Sequence, residues 1–346
     1  MLTASSRASP RALALVGGVL PSVHARLLTL LASVPADEAF PDYAQLAFLA
    51  RNHDHHQQQE NLSSHALLTA EMAMAIHANE TTARVKRTHR EHYERRAQDL
   101  RRFIEDGVSL RELSREHNVP PCVLARLLLE AIGLRKDDVK AVLRDVCTEL
   151  PRRAAQLPHA PHPEALERLA LDIQGAVDHG GHGSPGADVA RRAVGLAHEA
   201  LLYERLRLLG VAFETEDDLR LREEEKTPDA KLATPLLLRW RDSRGRTVER
   251  FVHWVDSKAS FCDHDSFQSA CITQFDTYAR RFGPGLAVHW FGYVSGVVEH
   301  HAAAGEHDTR RAASSVLVSD DFPPKGVELV QLEVDVQAHM RQCSKT

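Results

Sequence analysis

The apolar pattern of this chain changes period near residue 210. Up to Leu209, apolar residues recur at three- and four-residue spacing in Ala- and Leu-rich stretches, which predicts helices. Beyond it they gather in short runs bounded by turn residues. Leu232–Trp240, Glu249–Ser260 and Gly285–Val294 read as strands, with Asp242-Ser243-Arg244-Gly245 as a hairpin turn between the first two. A helix is expected over 189–209 and another over 265–282. Further short strands are expected at 316–319 and 328–334, an acidic loop after a short strand at 211–220, and a polar loop over 298–314. The resulting order, α-β-β-β-α-β, describes a mixed sheet with helices on it, an α/β domain behind an all-helical one. The 346 residues suffice for about two domains.

The boundaries follow from local punctuation. Residues 1–150 read as the helical domain, 187–338 as the α/β domain, and 151–186 as a linker in which Pro, Gly and His concentrate around a helix over 164–177. Within the helical part, Ser109 followed by Glu112 forms a capping box, Pro120-Pro121 separates two apolar stripes, and the segment 109–132 has the pattern of a helix-turn-helix or of any helical hairpin. Upstream, Arg84–Phe103 is a highly charged helix. Between Arg84 and Arg153 there are 17 Lys and Arg against 12 Asp and Glu, while the whole chain carries −5. The segment is either a solvated face laced with ion pairs or a phosphate-contacting surface. On the second reading Arg84, Lys86, Arg87, Arg90, Arg115 and Arg126 are the candidate nucleic-acid contacts.

Several classes drop out. No window approaches the ~18 apolar residues of a membrane helix. The early apolar stretch is broken by Pro21, His24 and Arg26, which argues against secretion, while the acid-free, Arg- and Ser-containing start leaves an organelle transit reading open. Five cysteines, Cys122, Cys147, Cys262, Cys271 and Cys343, form no CxxC pair, which fits a reducing compartment, nuclear or cytoplasmic. The 21 histidines keep a zinc-binding reading open at His53-Asp54-His55-His56 and at His179 and His182; polar loops are the alternative. Asp263-His264-Asp265 reads as a helix cap before it reads as a metal site. Phe282-Gly283-Pro284-Gly285 reads as a helix stop, and Trp290, Phe291 and Tyr293 as packing.

The chemistry concentrates at two strand ends. Thr227-Pro228-Asp229 precedes one strand and Asp256-Ser257-Lys258 ends its expected partner. Strand alternation puts Asp256 and Lys258 on one face and Ser257 on the other. Two carboxylates and a backbone carbonyl, here that of Ser257, make a hard oxygen site for Mg²⁺, and a lysine beside it can orient water and stabilise phosphoryl charge. Glu199, on the preceding helix, is a candidate third acid.

These residues resemble the PD-(D/E)xK nuclease superfamily, with Pro228-Asp229 and Asp256-Ser257-Lys258 as its signature. The closer resemblance is to the TPD-motif family, which includes the codanin-interacting nuclease of animals. It rests on KRTHREHY (86–93), VPPCVLARLLLE (119–130), HEALL (198–202), KTPD (226–229), VHWVDSKASF (252–261), QF (274–275) with Tyr278, and RFGPGLAVHWFGYV (281–294). The resemblance implies a restriction-endonuclease-like fold. It implies Asp229, Asp256 and Glu199 as ligands of Mg²⁺ or Mn²⁺, Lys258 as the catalytic lysine and Gln274 as a helix residue near the site. The implied activity is hydrolysis of phosphodiester bonds in DNA, including branched DNA, with RNA still open, a codanin-like protein as partner and homodimer formation as a feature of the fold. Asp256 stands where the closer relatives are expected to carry Glu. The alternative function is a nucleic-acid-binding or chromatin-related adaptor that keeps the fold with little turnover.

Overall fold

Several helices in this protein start where the sequence supplies a capping side chain. A computed structural model describes residues 18–38, 41–51, 67–222, 225–242, 245–304 and 314–331. They belong to two units, one of Ser22–His53 and Leu68–Val194, the other of Met1–Pro21, Asp54–Leu67 and Gly195–Thr346.

The first unit is helical: α1 (Pro21–Leu31), α2 (Tyr43–Arg51), α3 (Ala70–Glu105), α4 (Leu110–His117), α5 (Pro121–Ala131), α6 (Lys136–Arg144), α7 (Val146–Ala154) and α8 (Pro163–Asp178). Thr69 caps the 36-residue α3 through its hydroxyl, which accepts from the Met72 amide at 3.2 Å. The expected box at α4 is present: Ser109 donates its amide to Glu112 at 2.8 Å, and its hydroxyl accepts from the Glu112 amide at 3.2 Å. Asn118 then turns the chain with a φ of 52°, and proline opens α5, where a missing amide donor costs nothing.

Phe103, Leu113, Leu124, Leu128, Leu143, Leu150, Leu169 and Ile173 form one core. Each such side chain contributes roughly 2 kcal/mol by leaving water. Leu169 and Ile173 lie on α8, so the stretch 151–186 carries the end of α7 and a helix packed into this core. No residue of α5 is fully exposed; its Cys122, Leu124, Ala125, Leu127, Leu128 and Leu129 are all buried.

The second unit is a mixed α/β structure. It takes the later part of α9 (Pro185–Leu208), then β1 (Phe213–Thr215), α10 (Glu216–Arg220), β2 (Ala230–Arg241), β3 (Thr247–Lys258) and α11 (His264–Ala270). A π-helical turn (Cys271–Phe275) leads into α12 (Asp276–Phe282), followed by β4 (Gly285–His289), α13 (Val297–Ala304), β5 (Val316–Ser319) and β6 (Glu328–Gln331). The strand order is β1-β2-β3-β4-β5, with β6 also on β2. Pairing is antiparallel for β1–β2, β2–β3 and β2–β6, and parallel for β3–β4 and β4–β5. β1 takes the start of β2 and β6 its later residues, on either side of a register shift between Lys231 and Leu236.

Leu202 and Leu206 of α9 pack with Leu236, Leu238, Val255, Leu286 and Val288 on one face of the sheet. Trp254, Ala287 and Val318 meet Phe267, Phe275 and Tyr278 in the other core. The FGPG turn brings β4 very close to that core. Gly283 has a φ of 92°, its carbonyl accepts from Trp254 Nε1 at 2.8 Å, and a Cβ on Gly285 would stand 2.0 Å from the Trp254 ring.

Three expectations need correction. The acidic segment after β1 is the helix α10, because Thr215 and Asp218 form a capping box and acids favour a helix N-terminus. The expected loop over 298–314 begins with α13. The strand expected over 285–294 ends at His289, since Gly292 takes a φ of 89° that a strand does not allow. The expected strand over 328–334 is β6 as far as Gln331, and its remainder lies outside the described residues. So does His53-Asp54-His55-His56 apart from its neighbours at 51 and 67. Among the described residues, no helix is long and apolar enough to cross a membrane.

Candidate active site

β2 begins where Asp229 ends its loop, and β3 ends at Lys258, so the antiparallel pair sets both acidic segments at one edge of the sheet. The last paired residues are Ala230 opposite Val255. Asp229 and Asp256 are each the next residue outward. Side chains alternate as expected: Trp254 enters one core and Val255 the other, which assigns Asp256 and Lys258 to the Trp254 side and Ser257 to the opposite side.

Six contacts fix the cluster. The Ser257 amide donates to Asp229 Oδ2 at 2.6 Å. Lys258 Nζ lies 2.6 Å from Asp256 Oδ2, with the Asp256 side chain 1% exposed. The Tyr203 hydroxyl on α9 lies 2.6 Å from Glu199 Oε1 and 2.9 Å from the Asp229 carbonyl oxygen. Trp290 donates its indole N–H to the Ser257 hydroxyl at 2.8 Å. The Trp290 amide donates to the Lys258 carbonyl at 3.0 Å. In a parallel ladder the polar groups of successive residues face opposite neighbours. The Ser257 carbonyl therefore faces away from β4, to the side of β3 on which its own amide meets Asp229.

The motif before β2 is held from behind. Thr227 and Pro228 are buried, and the Thr227 carbonyl accepts from the Tyr278 hydroxyl on α12 at 2.8 Å. Lys226 takes a φ of 51°, which turns the chain into the motif.

The electrostatics are those of a site short of positive charge. Burial, then Asp256, pushes the Asp229 carboxyl up to about 8, with Glu199 adding to the shift. Glu216, at the start of α10, is also raised, by burial and then by Glu199 and Asp256. Burial opposes the Lys258 ammonium, but Asp256, Asp229 and Glu216 outweigh it and hold its pKa above the ordinary lysine value. Burial, Asp256 and Asp229 likewise raise the Tyr278 phenol.

The donor set suits a hard divalent cation: two carboxylates, one backbone carbonyl on the same side of β3 as Asp229, and a local excess of negative charge. Among the described residues, no three His, Cys, Asp and Glu side chains gather closely enough to hold an ion by themselves. A cation here would complete its coordination with the Ser257 carbonyl and water.

The structure brings Asp229, Asp256, Ser257, Lys258 and Glu199 into one network. Gln274 sits half-buried in the π-helical turn, and its side chain makes no hydrogen bond among the described residues. Glu216, Tyr203, Tyr278 and Trp290 also belong to the network. None carries a spacing signal relative to the acids, although Glu199 and Tyr203 stand one helical turn apart on α9. Asp263 caps α11, accepting from the Ser266 amide at 2.8 Å.

The candidate nucleic-acid residues fall in several settings. Lys86, Arg87 and Arg90 are exposed on α3. Arg87 pairs with Glu80 at 3.0 Å and Arg90 with Glu94 at 2.9 Å, and Lys86 has no partner among the described residues. Arg84 is half-buried, and burial lowers its pKa. Arg115 pairs with the buried Asp37 at 2.8 Å, and Arg126 donates to the Gly183 carbonyl at 2.7 Å. Both of these guanidiniums are engaged within the helical unit.

A family model described as "Protein of unknown function TPD sequence-motif" matches residues 165–308. CDAN1-interacting nuclease 1 of Danio rerio is 30% identical over 264 residues, covering 74% of this chain and 79% of that protein. The Xenopus tropicalis protein of that name is 29% identical over 264 residues, 74% of this chain and 78% of its own. The Homo sapiens one is 28% identical over 229 residues, 64% and 75%. No solved structure matches.

Proposed function

The chain belongs to the TPD-motif family that includes CDAN1-interacting nuclease 1, and from that premise we propose that it is a Mg²⁺- or Mn²⁺-dependent nuclease hydrolysing phosphodiester bonds in DNA. The observation that carries the reading is the joining of Asp229 and the Asp256–Lys258 pair at one sheet edge through the Ser257 amide. We read the order of α9, β1–β3, α11–α12 and β4 as the restriction-endonuclease-like core.

Asp229, Asp256 and the Ser257 carbonyl would hold the cation, with Glu199 reaching it through water. Bound there, the cation supplies Lewis-acid polarisation of a phosphoryl oxygen and acidifies water. Lys258, kept charged by its acidic neighbours, is placed to orient the attacking water and to offset negative charge on the phosphoryl group. Tyr203 ties Glu199 to the motif backbone, and Trp290 locks the Ser257 side chain, so the donors need little rearrangement.

The helical unit is the proposed DNA-positioning element, through the exposed cations of α3 and the α4–α5 pair read as a helix-turn-helix. Since α5 is largely buried, α3 is the stronger contact surface. A codanin-like partner follows from the names of the relatives. The free Cys122, Cys147, Cys262 and Cys271 suit a reducing nuclear or cytoplasmic compartment, and a homodimer remains part of the proposal.

The test is cleavage of end-labelled single strand, duplex, flap, four-way junction and RNA in Mg²⁺, Mn²⁺ or EDTA. Metal-dependent cutting of a DNA substrate, lost in Asp256→Asn and Lys258→Ala, is expected. Binding without cutting in all three proteins would identify a DNA-binding adaptor, and cutting of RNA alone would replace the substrate class.

A further inference from the structure

We propose that Glu216 is a fourth carboxylate of this site, a positioning residue that holds the divalent cation of Asp229 and Asp256 through bound water, kept in place by the threonine of the TPD motif. The inference rests on the metal-dependent reading above and deepens it.

Three acids open α10, and they differ in setting. Asp217 and Asp218 are exposed, and Asp218 is used in the cap with Thr215. The Glu216 side chain is only 27% exposed. Its amide donates to the Asp229 carbonyl at 3.2 Å, so the first turn of α10 is tied directly to the residue that opens β2. The β1–β2 ladder, with Thr215 opposite Ala230, sets this proximity.

The Glu216 carboxylate has two partners. Arg220, one helical turn on, donates to Oε1 at 2.8 Å, and the Thr227 hydroxyl donates to the same atom at 3.5 Å, the far end of hydrogen-bond range. Thr227 is 4% exposed, and its carbonyl is occupied by Tyr278. Among the described residues, the hydroxyl has one partner, and that partner is Glu216. A threonine before Pro-Asp is explained if the site needs this fourth acid in place.

Charge balance points the same way. Glu199, Glu216, Asp229 and Asp256 face two cations, Lys258 and Arg220. When the acids are ionised, two negative charges remain, which one divalent cation neutralises. Burial, Glu199 and Asp256 raise the proton affinity of Glu216, and the Lys258 ammonium in turn feels Glu216, so the group acts on the same field as the motif acids. Among the described residues, three acidic side chains do not close around one ion, so Glu216 acts through water and not as a direct ligand.

The experiment is Mn²⁺ binding to the full chain without nucleic acid, followed by electron paramagnetic resonance and titration calorimetry. Glu216→Gln should weaken Mn²⁺ about tenfold, as loss of an outer-sphere acid does. Glu216→Asp should recover part of that loss. Asp217→Asn, one residue away and exposed, should leave affinity unchanged. Arg220→Ala, which frees Glu216 from its ion pair, should tighten binding a few-fold, a sign that damage to the fold cannot produce. Wild-type affinity in Glu216→Gln, or an equal loss in Asp217→Asn, overturns the inference. If Glu216→Gln fails to fold, unchanged or weaker binding in Arg220→Ala overturns it instead. Wild-type affinity in Asp256→Asn and Asp229→Asn would sink the metal-dependent reading itself, so the two failures remain distinct.

Discussion

The buried carboxylates of the helical unit, Asp37 and Asp99, each face a basic group. Asp37 lies between Arg111 and Arg115, and although burial acts to raise its pKa, those two guanidiniums outweigh it and hold the carboxyl below its ordinary value. Asp99 has the His117 ring nitrogen 3.0 Å away. In the sheet unit, Asp229, Asp256, Glu199 and Glu216 share the Lys258 ammonium and the exposed Arg220. The first arrangement is what a fold does with acids it must bury. The second leaves like charges crowded, with one carboxyl pushed up to about 8. On the metal-dependent reading proposed above, a cation from outside the chain completes the crowded cluster.

The largest test of this contrast is catalytic. Asp256→Asn and Lys258→Ala should each lower metal-dependent cleavage by at least about 10³-fold, read by single-turnover kinetics. Asp256→Asn removes a crowded charge and should leave the thermal unfolding temperature little changed, whereas Lys258→Ala leaves the buried Asp256 without its cation and should lower it. Loss of folding together with activity in Asp256→Asn would mean that the acid cluster is structural.

The next contrast is one of stability. Asp99→Ala strands the His117 nitrogen in the helical core and should cost about 2–4 kcal/mol, measured by urea denaturation followed through the helix signal. Asp229→Asn keeps an oxygen acceptor for the Ser257 amide and removes a crowded charge. Without metal at neutral pH it should cost nothing and should stabilise at higher pH. Equal losses in the two variants would erase the distinction between the units.

Acidity and metal sharpen the point further. The folded pKa of Asp229, about 8, lies above the ~3.9 of an unfolded aspartate. Folding is therefore favoured by protonated Asp229, fully so below about pH 4, and this contribution is lost as pH rises toward 8. Melting in EDTA between about pH 5 and 9 should show stability falling with pH in the wild type. The slope should shrink in Asp229→Asn and in excess Mg²⁺, since a bound cation takes over the role of the proton. A flat wild-type profile would show that Asp229 stays ionised and unstrained.

How much of this was legible in the sequence differs by residue. Asp256 and Lys258 were readable because strand alternation is local, and the convergence of Asp229 on them follows once two adjacent strands are assumed to pair; the Asp229–Ser257 contact itself is seen only in the structure. The caps at Ser109 and Asp263 were readable for the same reason: a cap is settled within four residues. Glu216 was not. Its run of acids looks like a surface loop, and only the pairing of Thr215 with Ala230 carries it to the site. Tyr278, 51 residues from the Thr227 carbonyl it bonds, is equally silent in sequence. Leu169 and Ile173 of α8 were obscured by the prolines, glycines and histidines around them, which read as a linker although the helix between them joins a core. The end of β4 was missed because an apolar run does not reveal the turn that Gly292 makes within it.

The smallest expected effects separate an exposed lysine of α3 from an ion-paired arginine of α4. Lys86 is exposed and has no partner among the described residues, so an intramolecular role gives it nothing to lose. Lys86→Gln should leave stability within about 0.5 kcal/mol of wild type. If α3 follows a phosphate backbone, the same change should weaken DNA binding a few-fold and reduce the slope of log affinity against log salt by about one. Arg115→Gln should behave in the reverse way. Its guanidinium is 54% exposed yet committed to Asp37, which is 3% exposed, so its loss leaves a buried acid underpaired. Stability should fall more than for Lys86→Gln while the salt slope stays at the wild-type value. Both readouts come from one salt titration and one melting curve per variant. Identical salt slopes for Lys86→Gln and wild type would remove α3 from the DNA-binding surface and leave the sheet unit to hold its substrate alone.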